Sequence, residues 1–189
     1  KGNYDQALPD YDRAIQLNPN LAYAYLGRAQ IYYRKRLYDK TIDDATKAIQ
    51  FDPTLVNAFY YRGLSYRVNG KYPESITDMT RVLELSPTYI NGYYERGLAE
   101  YFSGKYTDAI RDFNKVIELD PADIDAIYNR GRAYRRTGDL NTALADLNKT
   151  IELNAKASNA FWERHYVHID LQQYDKALAD IDKTVELDP

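Results

Sequence analysis

Proline recurs along this chain at a fixed spacing of 34 residues: Pro19, Pro53, Pro87 and Pro121, with Pro189 two periods further on and Ala155 in the vacant slot. The segments leading into these positions repeat as well, reading IQLNP, IQFDP, LELSP, IELDP, IELNA and VELDP. Two further columns share the period. One is Arg28, Arg62, Arg96, Arg130 and Arg164; the other is Asp10, Asp44, Asp78, Asp112, Asp146 and Asp180. A register held through all 189 residues requires every unit to adopt the same supersecondary structure and to bury its apolar face against its neighbours.

Each period reads as two helices. In the third full unit, NGYYERGLAEYFSG is an amphipathic segment ending at Gly104, a suitable residue just past a helix C-terminus. Gly2, Gly70 and Gly138 hold the same slot, whereas Arg36 and Gln172 depart from it. The following segment, KYTDAIRDFNKVIELDP, carries Ala109, Ile110, Phe113, Val116 and Ile117 at helical spacing. Its terminal proline stops the helix, because proline lacks an N–H and disfavours helix at the residue before it. Pro73 falls where a helix begins and does no harm there. Pro9 lies deeper in its segment, so a kink or frayed helix is expected around it.

Composition excludes several function classes. With 25 Lys and Arg against 28 Asp and Glu, the chain has no global attraction for nucleic acid or anionic membranes. It has no apolar run long enough to span a bilayer, and the absence of cysteine rules out disulfides and thiolate metal sites. Beginning at Lys1 without Met or a leader, it reads as a piece of a longer chain. Targeting is therefore unreadable and a cytoplasmic location is only the default.

The repeated residues resemble the tetratricopeptide repeat family over the whole chain: a half unit at 1–21, then 22–55, 56–89, 90–123, 124–157 and 158–189. The match includes the small-residue column Ala29, Gly63, Gly97 and Gly131, the tyrosine column Tyr4, Tyr38, Tyr72, Tyr106 and Tyr174, the alanine column Ala7, Ala109, Ala143 and Ala177, and the terminal prolines. The resemblance implies an all-α fold, a right-handed superhelical α-solenoid of antiparallel helix pairs. The first helix of each pair would line a concave groove. Unlike some members of that family, this sequence is expected to end without an extra polar capping helix.

Within that frame the Arg column shares the helix face of the small-residue contact, while the Asp column lies midway along the paired helix. A repeated bidentate bridge is expected between Arg28, Arg62, Arg96, Arg130 and Arg164 and Asp44, Asp78, Asp112, Asp146 and Asp180. For Arg130 the acceptor could be Asp146 or Asp112. Tyr25, Tyr32, Tyr38, Tyr66, Tyr72, Tyr93, Tyr106, Tyr134 and Tyr174 fall in framework columns and are assigned to the core.

A second aromatic set falls on the predicted concave surface. The candidate peptide-binding groove comprises Tyr33, Tyr60, Tyr61, Arg67, Tyr94, Tyr101, Phe102, Tyr128, Asn129, Arg132, Arg135, Arg136, Trp162 and Tyr166. Rows of aromatic and arginine side chains have the composition of a binding surface; packing between neighbouring first helices is the structural alternative. Arg132, Arg135 and Arg136 form a cluster suited to an acidic partner whose apolar side chains meet the aromatic rows. Self-assembly into a homo-oligomer and substrate recruitment for a larger enzyme remain alternatives.

The family's carboxylate clamp for chaperone C-terminal tails needs Lys, Asn and Arg at five groove positions. Of the matching residues in the three possible registers, only Asn129 satisfies its requirement, so binding of such tails by that route is not expected. His165 and His168 are three apart on the last first helix, but no third ligand accompanies them and no metal or cofactor is assigned. Glu100 occupies a slot held by Tyr32, Tyr66 and Tyr134 elsewhere, and reads as a register variation or a buried acid. There is no nucleophile–base pair and no glycine-rich phosphate loop, so the chain reads as a non-enzyme. Glu95, Asp125, Glu163 and Asp170 interrupt the basic residues, which argues against nucleic acid.

Overall fold

A computed structural model describes residues 4–188. Gly2, Pro189 and the side chain of Tyr4 lie outside the described residues. All elements among those described are helices: α1 (Tyr4–Leu17), α2 (Ala22–Arg34), α3 (Tyr38–Phe51), α4 (Val56–Val68), α5 (Tyr72–Leu85), α6 (Ile90–Phe102), α7 (Tyr106–Leu119), α8 (Ile124–Thr137), α9 (Leu140–Leu153), α10 (Ser158–Asp170) and α11 (Tyr174–Leu187). They form two compact units, Lys1–Ala99 and Glu100–Pro189, divided within α6. In the first unit α2 packs on α3 and α4 on α5, with α1 against α2 and α3 against α4. The second unit repeats this arrangement with α8 on α9 and α10 on α11, and α7 and α9 cover the next first helix.

The turn inside each pair has one geometry. After α8, Gly138 takes φ +87°, its N–H bonds to the Arg135 carbonyl, and the Asp139 N–H reaches back to Tyr134. This closes the C-terminal carbonyls of the helix in a Schellman arrangement. Gly70 and Gly104 also have positive φ, but Arg36 and Gln172 adopt the same left-handed conformation at φ 60° and 59°. Their side chains bear the strain that glycine avoids. The loops after α1, α3, α7 and α9 are closed by Asx-type contacts, such as Thr54 N–H to Asp52 and Ala122 N–H to Asp120.

The small-residue column permits close approach of paired helices. A Cβ added at Gly63 would lie 2.8 Å from Met79 Cε and 3.1 Å from Asp78 Cβ. Beneath this contact Ala45, Met79, Phe113 and Leu147 are fully buried in successive second helices.

Alongside it, four of the column arginines chelate a carboxylate. Arg28–Asp44, Arg62–Asp78, Arg130–Asp146 and Arg164–Asp180 are bidentate, with Nε and Nη2 donating over 2.6–2.9 Å. The partner of Arg130 is thus Asp146. The remaining Nη1 turns to the preceding second helix: Arg28 to Asp12, Arg62 to Thr46, Arg96 to Thr80, Arg130 to Asn114 and Arg164 to Asn148. Asp12, Thr46, Thr80, Asn114 and Asn148 are themselves spaced by 34 residues. Framework aromatics flank the guanidiniums; Tyr25 and Tyr32 bracket Arg28, and Phe59 and Tyr66 bracket Arg62.

Pro9 sits inside α1, with helix on both sides of it. One sequence expectation changes. Tyr174, assigned to the core from its column, is 65% exposed. Its ring lies on the outer face of α11 with Leu178 and Val185, which are exposed as well.

Replacing Arg130 by Ala strands the nearly buried Asp146 carboxylate and should cost about 2–3 kcal/mol. That corresponds to a fall in melting temperature of about 4–12 °C for a chain of this length. An unchanged melt would show that the bridge does not hold the pair together. Arg36→Gly relieves the left-handed strain and should stabilise by about 0.5–1 kcal/mol after the added freedom of the unfolded chain is deducted. Chemical denaturation reads both values.

Candidate functional site

The faces of the first helices turned away from their paired helices carry the aromatic and arginine rows, and each unit has its own set. In the first unit Tyr33 of α2 meets Tyr61 of α4 at a ring separation of 5.5 Å, and Tyr60 packs against Tyr61 and Tyr89. The edge-to-face contact of Tyr33 with Tyr61 joins consecutive first helices, and Tyr60 packs on the turn that leads into α6. Arg67 Nε donates to Glu95 at 2.7 Å, again from one first helix to the next. Burial raises the Glu95 carboxyl above its ordinary value despite the neighbouring Arg67. Burial likewise raises the Tyr60 phenol, so that ring is a neutral packing group. Tyr94 is half-buried. Most of this row therefore works between helices.

The second unit is more open. Tyr101 is only 6% exposed, whereas its neighbour Phe102 is 48% exposed and packs edge-on against it. The Arg132 guanidinium stacks 4.5 Å from the Tyr101 ring centre and 5.5 Å from that of Tyr128. It donates through Nη1 to Asn129 Oδ1, and Asn129 is fixed by its own bond to the Asp125 carbonyl. Arg135 stacks 4.8 Å from Tyr166, donates through Nε to Asp170 at 2.8 Å, and lies 3.4 Å from Glu163. Arg136 is exposed and reaches the Tyr101 hydroxyl at 3.4 Å. Trp162 is 45% exposed, with Tyr166 and His165 beside it.

The structure thus brings Tyr101, Phe102, Tyr128, Asn129, Arg132, Arg135, Arg136, Trp162 and Tyr166 onto one face of the second unit. It turns Arg67 and Arg135 toward carboxylates of the next first helix. Sequence reasoning missed those acceptors as structural partners. The signal was present: Arg67–Glu95 and Arg135–Glu163 have the same separation of 28 residues.

The two histidines are tied to the protein. His165 Nδ1 faces the Trp162 carbonyl, and His168 Nδ1 bonds to Gln173 Oε1. No metal-binding cluster of three or more His, Cys, Asp or Glu is found among the described residues. Glu100 is a buried acid. Burial lowers the His168 imidazole below its ordinary value, while Asp180 favours the charged form and Arg164 and Lys176 oppose it. The unfolded imidazole takes up its proton near pH 6.5 and the folded one only at lower pH. Stability should therefore fall as pH drops below about 6.5, by at most about 1.4 kcal/mol per pH unit from this group. His168→Tyr, the residue of the equivalent slots, should flatten the curve there; a parallel wild-type and variant dependence in pH-resolved denaturation would contradict this.

No helix among the described residues is long and apolar enough to cross a membrane. Comparison with curated proteins yields no match. Among solved structures, YrrB, described as a TPR protein with an unusual peptide-binding site, superimposes with a TM-score of 0.81 at 21% identity, covering 95% of this chain and 92% of its own. MamA (41 to the end) from Desulfovibrio magneticus RS-1 gives 0.83 at 20% identity, covering 88% and 94%. A tetratricopeptide repeat protein from Parabacteroides merdae ATCC 43184 gives 0.67 at 22% identity, covering 100% and 73%. At these identities the likeness concerns the fold. Sequence profiles for the TPR repeat match residues 1–35 and 97–138, and tetratricopeptide repeat profiles match 56–89 and 124–156. With these profiles spanning both units and the helix pairs in place, the chain belongs to the tetratricopeptide repeat family.

Proposed function

We propose that this chain is a non-enzymatic protein-interaction scaffold that receives a partner peptide on the first-helix face of its second unit. Trp162 carries the reading: a large indole, 45% exposed on the face that also presents Phe102, Tyr128 and Tyr166. Exposed aromatics rimmed by arginines are the residues from which interface hot spots are drawn. The peptide contributes apolar side chains to this row and acidic ones to the arginines, lying either extended or as a helix along α8 and α10. The carboxylates of Glu163 and Asp170, interposed among the arginines, disfavour a nucleic-acid backbone. YrrB, a protein of like fold, is described as having a peptide-binding site, which supports the class of ligand and nothing finer.

The test is affinity capture from lysate with the wild-type chain and Trp162→Ala in parallel, followed by titration of each captured peptide segment. The variant should bind at least about tenfold more weakly, in the range of an interface hot spot. Identical partner sets and affinities would overturn this placement. Light scattering of the wild-type chain should give one mass at all concentrations. Growth with concentration would instead favour self-assembly, for which the exposed Tyr174, Leu178 and Val185 of α11 offer apolar surface.

A further inference from the structure

The arginines of the second unit differ in how completely their donors are used. In the ladder, Arg130 and Arg164 each hold a carboxylate through two bonds of 2.6–2.9 Å. On the first-helix face Glu163 is shared loosely, 3.4 Å from Arg135 Nη1 and 3.8 Å from Arg132 Nε. Asp170 is committed to Arg135 at 2.8 Å. Arg132 Nε is buried and donates to no acceptor among the described residues. Arg136, one turn further along α8, keeps its guanidinium at the surface, with its Nε 3.4 Å from the Tyr101 hydroxyl. Three guanidiniums therefore face two carboxylates, which leaves one positive charge and unused donors beside a stacked, immobilised Arg132.

We propose that Arg132 and Arg136 form a subsite for a single carboxylate side chain of the partner peptide, seated over the edge of Tyr101. This rests on the peptide-binding reading above and narrows it. Arg135 is excluded from the grip because Asp170 and Glu163 already occupy it. Tyr101 and Tyr128 hold the Arg132 plane in place, so little side-chain entropy is lost when the carboxylate arrives. One carboxylate balances the excess charge, whereas a doubly charged phosphate overshoots it and meets the repulsion of Glu163 and Asp170.

The experiment uses an array of short, end-blocked peptides of apolar and aromatic residues in which one position carries Glu, Gln or phosphoserine, with a further set carrying two Glu. Binding is read from the fluorescence of Trp162, the one tryptophan of the chain. The best Glu peptide should bind about tenfold tighter than its Gln counterpart. Arg136→Gln should remove most of that preference while leaving Gln-peptide affinity and the melting temperature unchanged, and Arg132→Gln should remove it as well, with a lower melting temperature because its stacking on Tyr101 and Tyr128 is lost. Equal binding of Glu and Gln peptides would overturn the subsite and leave the groove reading standing. So would a phosphoserine peptide, or a second Glu, that gained another factor of similar size. Binding of no peptide in the array would overturn both.

Discussion

In four repeats one guanidinium links three helices. Arg28, Arg62, Arg130 and Arg164 each spend two donors on an aspartate of the paired second helix and a third on the second helix before it, as Arg130 does with Asp146 and Asn114. The planar five-donor fork suits this, since it grips a carboxylate bidentately and still has a donor pointing the other way. Desolvation offsets much of the attraction, so the net gain per bridge is modest. What the bridge fixes is register. A helix shifted by one residue along its partner would leave both a buried carboxylate and a buried cation without geometry.

Because register is fixed there, the opposite face of the first helices is free to vary. In the first unit the variation was used for packing: Tyr33 on Tyr61, and Arg67 on Glu95. In the second unit the same slots hold Tyr101 and Arg135, but the added Arg132, Arg136 and Trp162 exceed what packing consumes. Trp162 and Phe102 remain about half exposed, and Glu163 serves two arginines without satisfying either closely. Surplus aromatic surface and surplus guanidinium donors on a rigid frame are the physical basis of the proposed recognition site.

The helix pairs, their boundaries and the bidentate bridges were legible in the sequence because all obey the 34-residue period with nearly invariant residue types. The third donor's acceptors obey it too, yet Asp12, Thr46, Thr80, Asn114 and Asn148 share only the ability to accept a hydrogen bond, which no pattern of residue identity reveals. Contacts between first helices are harder still. They join residues 28, 31 or 35 apart, so the 34-residue columns do not pair Arg135 with Glu163 and Asp170. Tyr174 misled for the opposite reason: its column is half-buried at Tyr38 and Tyr106, but the ring is exposed on α11. A column specifies a position in the repeat, and burial depends on what packs over it.

The most direct test of the account is a residue-resolved NMR map of the chain bound to a captured peptide. The account predicts perturbed signals at the side chains of Arg132, Arg136 and Trp162 on α8 and α10, with the guanidinium signals of Arg130 and Arg164 unmoved. Perturbation centred on the outer faces of α9 and α11, or on the Arg130–Asp146 bridge itself, would contradict it.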